Sequence, residues 1–296
     1  MPTSPGSGSR SASPRPRGTA SEQLRGQAGQ TVGVPVQRVA VMGAAGRMGR
    51  MVCSAVAADD GCELVAAVDP HHAGLDLASV TGVAADLVIS PDAESLEQLR
   101  VDVAIDFTEV GAARDNLRWC AAAGVHAVVG TTGLGEADVE ALRTAFTRSN
   151  CIVAPNFAIG AVVMMRLAEL AARWFDSVEI IELHHDAKVD APSGTALLTA
   201  SRVAAASSAW SPDPTKDTVL PGARGGRGPA GIPIHSVRLR GLVAHQEVLF
   251  GTTGQSLVLR HDSYDRSSFM PGVLLAVRAI PDRPGVTIGL DALLDL

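Results

Sequence analysis

From residue 37 onward, short apolar runs of strand length alternate with longer stretches whose apolar positions recur every three or four residues. Near-continuous apolar strands separated by amphipathic helices are the pattern of a parallel sheet covered on both faces by crossover helices. The pattern predicts strands over 38–42, 63–68, 101–107, 126–129 and 151–154, with a weaker one near Leu87. Helices are expected between them over 47–58, 111–123 and 137–148. The fold class that follows is α/β, a Rossmann-like doubly wound parallel sheet whose ligands bind beyond the C-terminal strand ends.

After Asn156 the rhythm changes. A long apolar helix is expected over 159–175, then a strand in VEIIELHH, then a helix opening near Ser193. A loop rich in Gly and Pro covers 208–231. Beyond it, strand-like segments at 235–240, 243–250 and 256–260 read as a meander. A closing helix over 268–280 and a short strand over 286–290 can return to the first sheet, since chain termini often lie close together. The organisation expected is a dinucleotide-binding domain over 37–157, completed by about 266–296, and a second α+β domain over 158–265 that takes the substrate.

Residues 1–36 carry no period that can bury a face and are dominated by Ser, Gly, Pro, Arg and Ala, the composition of a disordered tail. An Arg- and Ser-rich, acid-poor tail also suits an organelle transit peptide, but its Pro and Gly spacing opposes an amphipathic helix. A start codon placed too early is the other reading. The tail's four Arg and one Glu leave the rest of the chain at −9, against a net charge of −6 overall.

That acidic balance argues against nucleic acid as a partner, because such binding needs a basic surface to displace phosphate counterions. No run approaches the roughly 20 apolar residues of a membrane span, and no membrane partner is expected. The four cysteines, Cys53, Cys62, Cys120 and Cys151, form no C-x-x-C pair and sit in or beside apolar runs, which suits a reduced, cytoplasmic protein. Of 25 basic residues all are Arg except Lys188 and Lys216.

The first chemical motif is VAVMGAAGRMG, directly after a predicted strand and opening a helix. Gly43, Gly46 and Gly49 let the backbone turn tightly, and the free amides across Gly43, Ala44, Ala45, Gly46, Arg47 and Met48 suit a pyrophosphate at the helix N-terminus. Asp69 ends the next strand, 20 residues after Gly49, where an acid can accept from an adenosine ribose hydroxyl. Asp69 favours NADH, while Arg47, His71 and His72 suit a 2′-phosphate, so both NADH and NADPH stay open. Three further strand ends, at Asp106, Phe107 and Thr108, at Gly130, Thr131, Thr132 and Gly133, and at Ala154, Pro155, Asn156 and Phe157, converge on the nicotinamide side of the same crevice. A second GTTG, at 251–254, lies between two strand-like segments and reads as a hairpin turn.

The densest chemistry is in IELHHDAKVDAPSGTA, residues 181–196. His184 and His185 are adjacent on a strand, so they face opposite sides and make no helix-spaced metal pair; no metal is expected. Lys188 stands where the chain otherwise uses Arg, and unlike Arg it can give up a proton when desolvated. Ser193 can cap the following helix, leaving the amides of Gly194 and Thr195 and the Thr195 hydroxyl as a cradle for a carboxylate. Each feature alone also fits a capped helix after a strand with two half-buried histidines; together they describe a site.

VMGAAGRMG, VVGTTG, APNFAIGA and above all ELHHDAKVDAPSGTA resemble the 4-hydroxy-tetrahydrodipicolinate (dihydrodipicolinate) reductase family of lysine biosynthesis by the diaminopimelate route. LPGARG, GLVAHQEVLFG and RHDSYDRSSFMPGVLLAVR are similar to its actinobacterial members. The resemblance runs from about residue 37 to the C-terminus. It implies NAD(P)H at Gly43 to Met48, Asp69, Gly130 to Thr132 and Ala154 to Phe157, with a small dicarboxylate as substrate. His184 matches the family's acid/base, Lys188 its proton donor, and His185, Lys188, Gly194 and Thr195 its substrate contacts. The resemblance also implies a homotetramer joined through the second domains. Two other classes share parts of this pattern: another two-domain Rossmann oxidoreductase, which needs no HHxxKxDAPSGT run, and a dinucleotide-sensing module, which needs no proton donor facing an anion cradle.

Overall fold

The computed structural model describes Met1 and residues 36–294; the expected tail falls on residues that lie, from 2 to 35, outside the described ones. Strand β1 (Gln37–Met42) shows why the first sheet is two-sided: Val39 and Val41 enter one apolar cluster and Ala40 and Met42 another, all fully buried. Successive strand residues point to opposite faces, so a run without polar interruption needs cover on both. Helix α1 (Arg47–Ala57) covers one face with Val52, Cys53 and Val56. Strand β2 (Cys62–Val68) follows, then the short helix α2 (Leu77–Thr81). Strand β3 (Val103–Asp106) leads into α3 (Val110–Ala123), β4 (His126–Val129) into α4 (Glu136–Ala145), and β5 (Cys151–Val153) closes the series. Leu117 and Cys120 of α3 and Leu142 of α4 fill the other face.

No strand forms at Leu87. Its backbone bonds back to the preceding loop, with Gly74 N–H donating to Ile89, Ile89 N–H to Leu75 and Leu77 N–H to Leu87, so the segment meets the sheet through one isolated bridge, Val68 with Ser90.

The second sheet is built on α5 (Ile159–Ala172), β6 (Ser177–His184) and α6 (Gly194–Ala206). Strands β7 (Gly226–Arg227), β8 (Pro233–Arg238), β9 (Ala244–Thr252) and β10 (Gln255–Ser263) follow in order β10-β9-β6-β8-β7. This corrects the expected meander. Of the three expected segments, β9 and β10 form a hairpin, turning at Thr253 and Gly254 as their spacing implies, with Gly254 at φ 79°. Strand β8 instead pairs parallel with β6 after the α6 crossover, which places β6 between β8 and β9. The apolar inner face of β6, Val178 and Ile180, packs with Met164 and Ala168 of α5 and Ala200 and Val203 of α6, which makes it a central strand open to partners on both edges.

Helix α7 (Met270–Ala279) and strand β11 (Val286–Ile288) bring the chain back to the first sheet, where β11 pairs parallel with β5. The first sheet therefore reads β11-β5-β4-β3-β1-β2. Val273, Ala276 and Val277 of α7 share the cluster of α1, and Val162 and Met165 of α5 join it, so one continuous core runs beneath the crevice between the sheets. All four cysteines are buried and unpaired, and burial pushes the Cys53 thiol up to about 12.

The third glycine of the motif sets how closely α1 approaches β1. A Cβ on Gly49 falls 1.9 Å from the Gly43 carbonyl oxygen, so the helix and the turn cannot both stay in place. Gly49→Ala is expected to lower stability by about 2–3 kcal/mol through overpacking, read as a fall in the urea midpoint at unchanged slope.

Candidate active site

The cofactor half of the crevice begins at the turn from β1 to α1. Gly43 takes a left-handed φ of 78°, with Phe107 backbone and the Thr108 methyl close by, a conformation that suits glycine. Gly46 caps α1 without a side-chain bond, and the amides of Arg47 and Met48 have no acceptor among the described residues. Free amides at a helix N-terminus fit a pyrophosphate. The side chain of Arg47 is exposed. A cleft of about 610 Å³ opens beside this turn, lined by Gly43, Pro70, Ala93, Thr108, Ala112 and Trp119 among others, and is large enough for an adenosine.

Asp69 stands at the end of β2 but is nearly buried, and its carboxylate faces inward. One oxygen accepts from Ala45 N–H at 3.2 Å, and the other from His71 N–H at 3.1 Å and His72 Nδ1 at 3.0 Å. His71 is exposed. The acid that the sequence assigns to the ribose is thus shared with the glycine turn and His72.

The loops after β3 and β4 are held by Asp106, a carboxylate only 1% exposed. Its Oδ1 accepts from the Thr108 amide and hydroxyl and, at 2.7 Å, from the Thr131 hydroxyl; its Oδ2 accepts from Asn116 Nδ2 at 2.7 Å. The sequence places Asp106 at the same strand end as Thr108 without a role, and the structure makes it the residue that positions Thr108 and Thr131. Gly130 lies against the Phe107 ring, where a Cβ has no room, and Phe107 meets Phe157 with ring centroids 5.8 Å apart. Thr132 is exposed, Ala154 is buried, and Pro155 is exposed. Asn156 folds its Oδ1 onto Ala158 N–H and directs Nδ2 across the crevice to the Thr195 hydroxyl at 3.4 Å.

The other wall comes from β6 and α6. The Ser193 hydroxyl caps α6 by accepting from Ala196 N–H, and the amides of Gly194 and Thr195 have no acceptor among the described residues, leaving an anion cradle. His184, Ser193, Thr195 and Asn156 line one recess of about 40 Å³ together with His245, Gln246 and His261. His185 and Lys188 lie outside that recess. Lys188 is bound to Asp190, its Nζ donating at 2.7 and 2.9 Å to the two carboxylate oxygens. That bond holds the Asp190 carboxyl below the usual carboxylate range.

His184 hydrogen-bonds through Nδ1 to Glu182 at 2.5 Å. Glu182 is wholly buried and also accepts from both terminal nitrogens of Arg238, at 2.8 and 2.9 Å, and from Ser193 N–H at 3.2 Å. Burial pushes the Glu182 carboxyl up, but bonds from Arg238, Ser236 and His184 outweigh it and hold the group below its ordinary range. An ionised carboxylate only accepts, so Nδ1 of His184 carries the proton and Nε2 is left free. Burial pushes the His184 pKa below the ordinary imidazole value against the pull of Glu182. His261 is likewise lowered, chiefly by burial.

A doubly wound sheet with a glycine turn, facing a second sheet that offers an imidazole and free amides at a helix N-terminus, defines the class of nicotinamide-dependent oxidoreductases. The comparisons narrow that class. Residues 37–157 match the family model "Dihydrodipicolinate reductase, N-terminus" and residues 160–294 match "Dihydrodipicolinate reductase, C-terminus". The chain is 50% identical to the 4-hydroxy-tetrahydrodipicolinate reductase of Nocardia farcinica over 88% of its own length and 99% of that relative. It is 49% identical to the enzyme of that name from Cutibacterium acnes, with the same coverage. A dipicolinate-bound dihydrodipicolinate reductase from Paenisporosarcina sp. TG-14 superposes with a TM-score of 0.77 at 41% identity, covering 87% of this chain and 99% of that one. The chain belongs to the dihydrodipicolinate reductase family and is an NAD(P)H-dependent oxidoreductase.

Asp106→Ala orphans the buried Thr131 hydroxyl and the half-buried Thr108 and Asn116 donors at once. It is expected to lower stability by about 3 kcal/mol and to weaken NADH binding, because the Thr108 and Thr131 loops lose their common anchor; denaturation and fluorescence titration read the two effects. A variant with unchanged NADH affinity would separate those loops from the cofactor.

Proposed function

We propose that this chain reduces 4-hydroxy-tetrahydrodipicolinate to tetrahydrodipicolinate with loss of water, in the diaminopimelate route to lysine. The observation that carries the reading is the convergence of His184, Ser193, Thr195 and Asn156 on one recess at the mouth of a dinucleotide fold. Bound NADH or NADPH supplies the hydride. Gly43 to Met48, Asp69, Phe107, Thr108, Gly130 to Thr132 and Ala154 to Phe157 hold that cofactor along the strand ends.

The substrate is a dianion, and the chain gathers positive groups to meet it. The Gly194 and Thr195 amides at the α6 N-terminus, the Ser193 cap, His185 and Lys188 bind its carboxylates, and a substrate carboxylate takes the place of Asp190 on Lys188. In the reaction the ring C–O bond at position 4 breaks, a C–H bond forms from the hydride, and the hydroxyl leaves as water with one proton. Lys188 and His184 supply that proton. Burial depresses the His184 pKa, with Lys188 and Arg238 adding to it, and an anionic substrate beside the ring counters that depression.

The protein works in the cytoplasm as a homotetramer built on the open face of the second sheet. That face carries Ile181 and Leu249, an exposed Val258, and a groove of about 680 Å³ that also takes in Trp210 and Arg224, away from His184. Light scattering of the purified chain reads the assembly directly.

The test of the activity is a coupled assay in which aspartate semialdehyde and pyruvate are converted to substrate by the preceding synthase while cofactor oxidation is followed. Oxidation that depends on substrate is expected with NADH, with NADPH or with both, and the ratio of rates weighs Asp69 against Arg47. Lys188→Ala should lower kcat by roughly 10²- to 10⁴-fold. A folded protein that binds NADH yet oxidises neither cofactor would favour a sensing module instead.

A further inference from the structure

We infer that Glu182 is a positioning residue for the reaction, holding the acid/base His184 and the first turn of the anion cradle on one carboxylate. The inference rests on the reading of His184 given above. Strand β6 points Val178, Ile180 and Glu182 to the same buried face, so the position of Glu182 is one where the alternation calls for an apolar side chain. A carboxylate there loses its hydration, and a buried ion pair seldom stabilises a fold more than a well-packed apolar pair. Stability does not explain the choice.

The geometry does. Each oxygen of Glu182 takes one guanidinium nitrogen of Arg238 and one element of the site. Oε2 accepts from Arg238 Nη1 and His184 Nδ1, while Oε1 accepts from Arg238 Nη2 and Ser193 N–H. Arg238 also donates to the Asp190 carbonyl, in the turn that carries Lys188. The His184 ring and the Ser193 cap are therefore fixed relative to one another through the two oxygens of a rigid group. A structural ion pair needs only the Arg238 fork.

The consequence for His184 is a single tautomer, with Nε2 free toward the recess. Glu182 also raises the basicity of the ring against burial, Lys188 and Arg238, which all lower it. The other titratable groups around the recess are His245 on β9 and His261 on β10. His245 is tied to Asp262 at 2.7 Å and accepts from Val243 N–H, so it makes no bond to His184.

The test compares Glu182→Gln with the double variant Glu182→Gln/Arg238→Met, which removes both charges and keeps the question open to measurement if the lone Arg238 prevents folding. In the parent, nitrogen-15 imidazole spectra should show His184 protonated at Nδ1 with a strongly downfield proton, identified by its loss in His184→Asn. In a folded Glu182 variant that proton is expected to move upfield or vanish. The limb of the kcat–pH profile set by His184 should shift to lower pH, and kcat should fall roughly 10²-fold. NADH affinity should not change. Variants that lose only thermal stability, with parental kcat, pH profile and His184 tautomer, would overturn the inference. A parent that oxidises no cofactor would overturn the reading of the activity instead, and the spectra would still decide what Glu182 does to His184.

Discussion

A carboxylate cut off from water must have its acceptor positions answered by the protein, and both halves of this site are organised by that constraint. Asp106 in the first sheet and Glu182 in the second are at most 1% exposed. Asp106 draws the Thr108 and Thr131 hydroxyls and the Asn116 amide to itself, and so sets the loops after β3 and β4. Glu182 draws in Arg238, His184 and the Ser193 amide, and so sets the His184 ring and the cap of α6. The ligand groups are held by these buried anions rather than by one another. Preorganisation of this kind places donors before substrate arrives, so little reorganisation is left for the reaction itself.

Much of this was legible from the chain alone. The apolar strands of the first sheet, the covering helices and the return of the last strand follow from period and length, because a two-sided parallel sheet has a strong pattern. The glycine turn was legible because left-handed backbone and close approach both select glycine, as Gly43 and Gly49 show. The β6–β8 pairing was not: three consecutive strand-like segments look the same whether they form a meander or are divided by a neighbour, and only the α6 crossover decides. The segment at Leu87 has strand composition, yet its hydrogen bonds go to the adjacent loop, a choice made by tertiary proximity.

The site shows the same division. His184, Lys188, Ser193 and Thr195 stand out by residue type and spacing. Glu182 does not, because an acid inside an apolar strand reads as an interruption until its partners are seen, and Asp106 is legible as part of a strand-end loop but not as the residue that holds two of them. The one signal available for Glu182 was its place two residues before His184, on the same face of the strand. For Arg238 there was none: it lies 56 residues away, among many arginines.

The electrostatic arrangement also explains how an acidic protein can hold an acidic substrate. Cations of the site are neutralised locally when no ligand is bound, Arg238 by Glu182 and Lys188 by Asp190, and these pairs differ in burial. Glu182 has no exposed surface, so its bond to Arg238 is permanent scaffolding. The Asp190 side chain is 58% exposed, so water competes for it and the pair contributes little. The Lys188–Asp190 bond is therefore the weak one of the two and the Glu182–Arg238 bond the strong one. Across the crevice, the link between Asn156 and Thr195 is a single bond at 3.4 Å, near the limit of a hydrogen bond. The bonds to Asp106 and Glu182 are buried and multiple, whereas the Lys188–Asp190 pair is exposed and the Asn156–Thr195 link is long. The two carboxylate hubs are therefore the fixed part of the arrangement, and the exposed pair and the long link are its labile part.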